Sequence, residues 1–430
     1  MVAGCCCCHA EAMSRAEHLK AEEDLLARGI EWFRAIRPTD VSWSVVDVAL
    51  KNSRGHIHTI EYTCGTPDPD VPALVCIHGF GFGAALYYAA APVLAERWGG
   101  RVFSIDQLGC GLSSRPPWPY AYGHRCPVDK AEAYFVEALE EWRAQLELES
   151  ICLVAHSIGG YVAAAFAERY PQRLSRLILA SPAGVPPPPE GLAEVHKRAP
   201  LALRLVRVLF ARGWSPFMLA KDFGLGRRML GNYINRRFDD GQSWIAKPEL
   251  ISYLVGIWCR SPKSAGGYIH SHLLTFGGIP QGSQGEFVYA RAPLADRLLA
   301  LAHQVPRLTC IYGEFDWMYW RNAADVRARQ ELGAPPIDVW RVAQATHQQM
   351  IDNPLGFADA VLATGSIAAG HLPVGAGFGQ HYGAQAKLFE RASGVKLPQD
   401  TDFITVWASE QEAGDGASGV PPLVPVVVYS

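Results

Sequence analysis

The sequence predicts an α/β protein with a mostly parallel central sheet, helices flanking it, and an inserted helical lid. Three observations point there. Short apolar runs bounded by glycine, "ALVCIHG", "GRVFSIDQLG" and "ICLVAHS", alternate with helix-like segments, and strands that alternate with helices build parallel sheets. A proline-rich break, "AGVPPPPEG", ends the alternation, and residues 191–287 read as mostly helical with no strand long enough to extend the sheet. The pattern then resumes with "RLTCIYGEFD" and "PIDVWRVA".

Taken in order, residues 11–37 are helix-like and charged, with Leu19, Leu26, Ile30 and Phe33 on one face before Pro38 stops the helix. "WSVVDVAL" and "HIHTIEYT", separated by "KNSRG", read as a hairpin. Helices are expected over 85–97, 129–148, 159–170 and 322–332, with a last one opening at "DNPLGF". The divisions that follow are 1–40, a cysteine-rich tip and amphipathic helix; 41–185, the first part of the core; 186–296, the lid; 297–365, the second part of the core; and 366–430, a tail rich in glycine and proline.

At 430 residues the chain can bury a substantial core. Its 39 basic and 42 acidic residues leave a net charge of -3, which gives no field favouring nucleic acid. Four of the eleven cysteines form one run, Cys5 to Cys8, and seven are scattered singly, so no disulfide framework is expected. No basic stretch followed by an apolar stretch and a cleavage site opens the chain, and an intracellular, reducing setting is expected. Residues 72–95 carry no Asp, Glu, Lys or Arg, as a membrane span would. The glycines of "IHGFGFG" favour strand, turn and helix instead.

The stretch "VAHSIGGYVA" carries the candidate chemistry. Ser157 stands between a buried strand and a helix, with small residues two before and two after, Ala155 and Gly159. That is the sequence form of a nucleophile elbow, in which the N–H of Ile158 and the helix dipole meet an oxyanion. A serine before a helical run is also a common N-cap. Its companions arrive in the order serine, acid, histidine: Asp316 in "GEFDWM", with Glu314 as a competitor, and His347 in "ATHQQMIDNP". His78 and His156 flank the site and read as structural. Phe80, in "HGFGFG", is the candidate for the second oxyanion N–H, with Gly81 next.

Together "LVCIHGFGFG", "FSIDQLGCGLSSRP", "VAHSIGGYVAA", "YGEFDWM" and "HQQMIDNPLGF" resemble the α/β-hydrolase-domain lipid enzymes, a family that includes the lipid-droplet lipase coactivator of animals and its plant counterparts. The resemblance covers about residues 41–362 and is weakest in the lid. It implies the α/β-hydrolase fold and lysophosphatidic acid acyltransferase, phospholipase or triacylglycerol lipase activity. The family's acyltransferase signature, a histidine with an aspartate five positions later, is matched by His347 and Asp352. A plainer account of Asp352 is that it precedes Asn353, an N-cap before Pro354. Two departures stand out: Thr346 occupies the usual glycine before the histidine, with Gln348 and Gln349 after it, and Ala155 replaces the elbow glycine.

The lid holds ten basic residues and one acidic residue between positions 195 and 238. Within it Arg204, Arg207 and Arg212 share an arc that suits an anionic lipid surface or a phosphate headgroup, or simply a solvated face. Adjacent thiols cannot readily share one tetrahedral ion, so Cys5 to Cys8 suggest S-acylation or an unmodified tail rather than metal. The reading that follows is a lipid-directed serine hydrolase or acyltransferase, peripheral to a membrane or lipid droplet. Its substrate would be a lysophospholipid, phospholipid or acylglycerol, with no metal or redox cofactor and acyl-CoA as co-substrate only for acyl transfer. Its rivals are a non-catalytic droplet adaptor that activates a separate lipase, and a small-molecule ester hydrolase.

Overall fold

The computed structural model describes residues 13–51, 54–120, 126–188, 190, 208, 226–238, 242–259, 269–276 and 288–362. Cys5 to Cys8, the lid arginines Arg204, Arg207 and Arg212, and the tail from 366 lie outside the described residues.

One eight-stranded sheet organises the chain, in the spatial order β1-β2-β4-β3-β5-β6-β9-β10. Its strands are β1 (Ser42–Ala49), β2 (His56–Thr63), β3 (Ala73–Ile77), β4 (Val102–Ile105), β5 (Ile151–His156), β6 (Leu174–Ala180), β9 (Leu308–Gly313) and β10 (Ile337–Val342). The expected hairpin is present: β1 pairs antiparallel with β2, from Ser42 opposite Thr63 to Ala49 opposite His56. β2 is also antiparallel to β4, and from there to β10 every pairing is parallel. Strands β3, β4, β5 and β9 are buried at every residue, because helices cover both faces of a parallel sheet. This is the α/β-hydrolase architecture that the resemblance implied.

The helices differ from expectation mainly at their ends. Residues 85–97 divide into a 3₁₀ turn, Ala84–Tyr87, and α2, Ala90–Trp98. α3 spans Val128–Gln145, α4 spans Ile158–Arg169, and α8 closes early, at Arg321–Ala328. The uncharged stretch 72–95 is thus strand, turn and helix. Among the described residues no helix is long and apolar enough to cross a membrane. The final segment forms a single turn, α9 (Gln349–Asp352), and then α10 (Pro354–Leu362). Asn353 Oδ1 accepts the N–H of Gly356 at 2.9 Å, the N-cap geometry expected of it.

Between β6 and β9 the described part of the insertion contains α5 (Gly226–Arg237), α6 (Lys247–Cys259) and α7 (Ala295–Leu301). It also contains a two-stranded ribbon separate from the main sheet, β7 (Leu274–Phe276) with β8 (Val288–Ala290). Residues 191–287 are expected to be mostly helical with no strand long enough to extend the sheet, and this short ribbon indeed stays apart from it. Three-residue strands with no alternating pattern leave no periodicity to read.

The N-terminal helix α1 (Arg15–Ile36) opens with a capping box between Ser14 and Glu17. It buries Leu25, Leu26, Ile30 and Phe33 and packs on α6, with Trp32 5.8 Å from Trp244. Leu19, on the expected face, is only half-buried. Polar anchorage comes from His58 on β2, whose Nε2 lies 2.6 Å from Glu22 Oε1 and whose Nδ1 lies 3.0 Å from Asp47 Oδ1. Glu22, His58 and Asp106 place ligand-type atoms within 4.8 Å of one another. His58 spends both nitrogens on carboxylates, and Asp106 accepts the N–H groups of Ala84 and Leu112 at 2.6 Å each, so these residues read as a charge network.

Burial works against charging His58, but the carboxylates of Asp47 and Glu22 outweigh it and push its pKa from 6.5 up to about 10. The folded-state value exceeds the unfolded one, so the stabilisation is complete below about pH 6.5 and is lost as pH rises toward 10. Denaturant midpoints of the wild type should therefore fall between pH 7 and 10. His58→Gln should cost on the order of 3 kcal/mol at pH 6 and show a flatter profile. Parallel pH profiles for the two proteins would remove His58 from this role.

Candidate active site

The elbow is built from a conflict between a strand and a helix. β5 delivers Ser157 to the carboxyl edge of the sheet, and α4 begins one residue later. The reversal forces Ser157 to φ 55° and ψ -120°, a conformation that costs a non-glycine residue about 1–3 kcal/mol. Flanking bonds hold it there: its N–H donates to Ala180 O at 2.9 Å, and its carbonyl accepts from Ala183 at 3.1 Å. The turn leaves no space at Gly159, where a Cβ would run into the carbonyl oxygen of His78. Ala155, fully buried two residues before the serine, fits without a clash.

Ser157 occupies the N-cap position, but its side chain makes no capping bond. Its Oγ lies 3.1 Å from His347 Nε2 instead. Nδ1 of the same imidazole lies 3.0 Å from Asp316 Oδ1. With the carboxylate accepting, Nδ1 carries the hydrogen and Nε2 is left as the acceptor for the serine hydroxyl. All three side chains are nearly excluded from solvent. Serine, acid and histidine thus come together from the ends of β5, β9 and β10.

Asp316 is held in turn. Its Oδ1 accepts the N–H of Met318 at 2.9 Å, and its Oδ2 accepts the hydroxyl of Ser181. Ser181 also accepts from Gln349 Nε2 at 3.3 Å, and Gln349 donates to Ile311 O at 3.3 Å. Glu314, the competing acid, accepts the N–H of Gln344 at 2.7 Å and takes no part with His347. Burial pushes the Glu314 carboxyl up. Sequence reasoning missed Ser181 and Gln349. The available signal was a short polar side chain directly after β6, level with the ends of β5 and β9.

The two flanking histidines are structural in their contacts. His78 bonds Gly79 O at 2.8 Å through Nδ1 and accepts the N–H of Gln107 at 3.1 Å through Nε2. His156 donates Nε2–H to the carbonyl of His347 at 2.8 Å, fixing the backbone that carries this imidazole. Burial, reinforced by the neighbouring His347, lowers the His156 pKa well below the ordinary value and keeps this ring neutral.

Gly79 backs directly onto the elbow: a Cβ there would stand 2.6 Å from His156 Nδ1 and 2.9 Å from Ser157 Cβ. Phe80 follows this glycine directly, and Gly81 continues the turn at φ 78°. Ile158 opens α4, where an N–H has no intrahelical acceptor. Both candidate oxyanion donors thus sit on backbone that adjoins Ser157.

Asp352 does not reach the imidazole of His347. It accepts the N–H and the hydroxyl of Thr346, at 2.8 and 2.6 Å, and pairs with Arg237 of α5 at 2.7 Å. Both nitrogens of His347 are engaged by Ser157 and Asp316, so Asp352 can act on the histidine only through the loop that carries it.

Comparisons with known proteins agree with this architecture. A family model described as the alpha/beta hydrolase fold matches residues 72–209. A probable 1-acylglycerol-3-phosphate O-acyltransferase of Oryza sativa subsp. japonica is 32% identical over 300 residues, 68% of this chain and 67% of the relative. A 1-acylglycerol-3-phosphate O-acyltransferase of Arabidopsis thaliana is 29% identical over 339 residues, 77% of this chain and 72% of the relative. The human (lyso)-N-acylphosphatidylethanolamine lipase is 29% identical over 263 residues, 58% of this chain and 66% of that protein. With the sheet order, the elbow and these relatives in agreement, the chain belongs to the α/β-hydrolase-domain family that contains these acyltransferases and lipases.

Proposed function

We propose that this protein is a lipid-directed serine hydrolase or acyltransferase that works through an acyl-enzyme on Ser157. The observation that carries the reading is the continuous chain of contacts from Ser157 Oγ to His347 Nε2 and from His347 Nδ1 to Asp316 at a strained strand-to-helix turn. The names of the relatives supply the substrate class, lysophospholipids and phospholipids.

In the acylation step Ser157 Oγ attacks the ester carbonyl carbon while His347 Nε2 takes the hydroxyl proton. The resulting imidazolium is stabilised by Asp316, and the oxyanion is met by the N–H groups of Ile158 and Phe80. Collapse breaks the bond to the leaving alcohol, which receives the proton from His347. Water, or the free hydroxyl of a lysophospholipid, then attacks the acyl-enzyme with His347 again as base, and Ser157 is regenerated. With acyl-CoA as donor the leaving group is the CoA thiol and the second half is unchanged. Attachment to a membrane or lipid-droplet surface through the basic lid, and S-acylation at Cys5 to Cys8, belong to the same reading.

A fluorophosphonate probe should label the wild type and leave Ser157→Ala unlabelled. A mixed panel of phospholipids, lysophospholipids and acylglycerols should give products with the wild type alone. Products that persist in Ser157→Ala would move the chemistry elsewhere, and a wild type that resists the probe would favour the adaptor reading. Adding acyl-CoA and lysophosphatidic acid should yield phosphatidic acid if transfer is among the reactions. Asp316→Asn should keep the fold and lower turnover about 10⁴-fold, because the imidazole loses the partner that sets its tautomer. A loss smaller than tenfold would exclude Asp316 as that partner.

A further inference from the structure

Among the described residues, side chains of the lid reach the histidine loop and the turn after it. Arg237, in the last turn of α5, directs Nη2 at both oxygens of Asp352, each 2.7 Å away, at Gln348 Oε1 at 3.3 Å, and at the hydroxyl of Thr346. Asp352 Oδ2 accepts both the N–H and the hydroxyl of Thr346. The pair is largely withdrawn from water, with side-chain exposures of 14% for Arg237 and 4% for Asp352. The Arg237 guanidinium also lies 4.6 Å from the ring centre of Phe238. A second lid residue ties the same segment: Trp244 Nε1 donates to Ile351 O at 2.7 Å.

Thr346 immediately precedes His347. The core fixes the loop on either side of it, through Phe315 N–H to Ala345 O at 2.9 Å and His156 to His347 O at 2.8 Å. Between those two anchors the Thr346 backbone N–H is set by Asp352, and Asp352 is oriented by Arg237. Two of the polar residues that break the family pattern here, Thr346 and Gln348, are engaged by Arg237, and Thr346 by Asp352 as well, whereas Gln349 donates to Ser181 and Ile311.

We propose that Arg237 is a positioning residue for His347, acting through Asp352 and Thr346, so that the lid helix α5 sets the placement of the base. This rests on the reading of Ser157 and His347 as nucleophile and base. Acyl-enzyme formation and both deacylation routes then depend on the assembly equally, and Asp352 has no separate part in activating an acyl acceptor.

The test uses the full chain with Arg237→Gln, Arg237→Lys and Asp352→Asn. In Arg237→Gln the rate of fluorophosphonate labelling at Ser157 should fall about 10- to 100-fold, the scale set by a small misplacement of a catalytic group. Hydrolysis of a p-nitrophenyl ester should lose kcat with KM little changed, and Arg237→Lys should recover part of the loss. In Asp352→Asn labelling, hydrolysis and acyl transfer from acyl-CoA to lysophosphatidic acid should decline by the same factor. Unchanged labelling together with a collapse of transfer relative to hydrolysis would overturn the proposal by giving Asp352 a role in acceptor chemistry. Hydrogen exchange reads the clasp without catalysis: residues 343–352 should exchange faster in Arg237→Gln and Asp352→Asn while β5 and β9 stay protected. Unaltered exchange would overturn the proposal whatever the activity. A wild type that is never labelled at Ser157 removes the nucleophile reading, and exchange alone then decides whether Arg237 holds the loop.

Discussion

The backbone of Ser157 is the constraint on which the site depends. A parallel strand and the helix after it run in opposite directions, and joining them through the single residue Ser157 leaves it to absorb the reversal. That residue takes a positive φ, and the strain persists because β6 bonds it from the side and because Gly159 and Gly79 let the neighbouring backbones close in. The same reversal aims Oγ away from the sheet, toward the ends of β9 and β10. Asp316 and His347 therefore need no long loops to meet it.

Around this point charge is strictly sorted. His78, His156 and His270 are kept neutral by burial, with His270 lowered to about 3. His58 is driven the other way by its two carboxylates. These buried histidines thus divide by whether a carboxylate bonds the ring: without one, burial keeps the ring neutral, and with two, His58 is charged against it. A neutral His156 holds the carbonyl of His347 without placing a charge beside that ring.

What was legible in the sequence followed from local rules. Alternating apolar runs gave the parallel sheet, glycine spacing marked the elbow and the loop at Phe80, and the order of Ser157, Asp316 and His347 singled out three residues far apart in the chain. Helix ends were less legible: the expected helix over 85–97 divides into a 3₁₀ turn and α2, a break that apolar periodicity does not record, whereas Asn353 and Pro354 did mark the start of α10. The supports were not legible at all. Ser181 bonds Asp316 across 135 positions, and Arg237 meets Asp352 across 115, so neither contact leaves a periodic or local trace. Thr346 and Gln348 were visible only as departures from a pattern, and their sense appeared once Arg237 stood beside them.

The packing of α1 on α6 also bears on the order in which the chain can fold. α1 is the first described element, whereas much of the surface that covers its buried face belongs to residues 247–259, with α2 and the 3₁₀ turn before it covering a smaller part. During synthesis Leu25, Leu26, Ile30 and Phe33 must wait, exposed or only partly covered, until most of the molecule has been made. β2 can hold the helix earlier through Glu22 and His58, but the apolar closure comes late and is of high contact order. The N-terminal helix is then sealed late relative to its own synthesis, and a nascent chain interrupted before α6 would carry an incompletely covered apolar stripe open to aggregation.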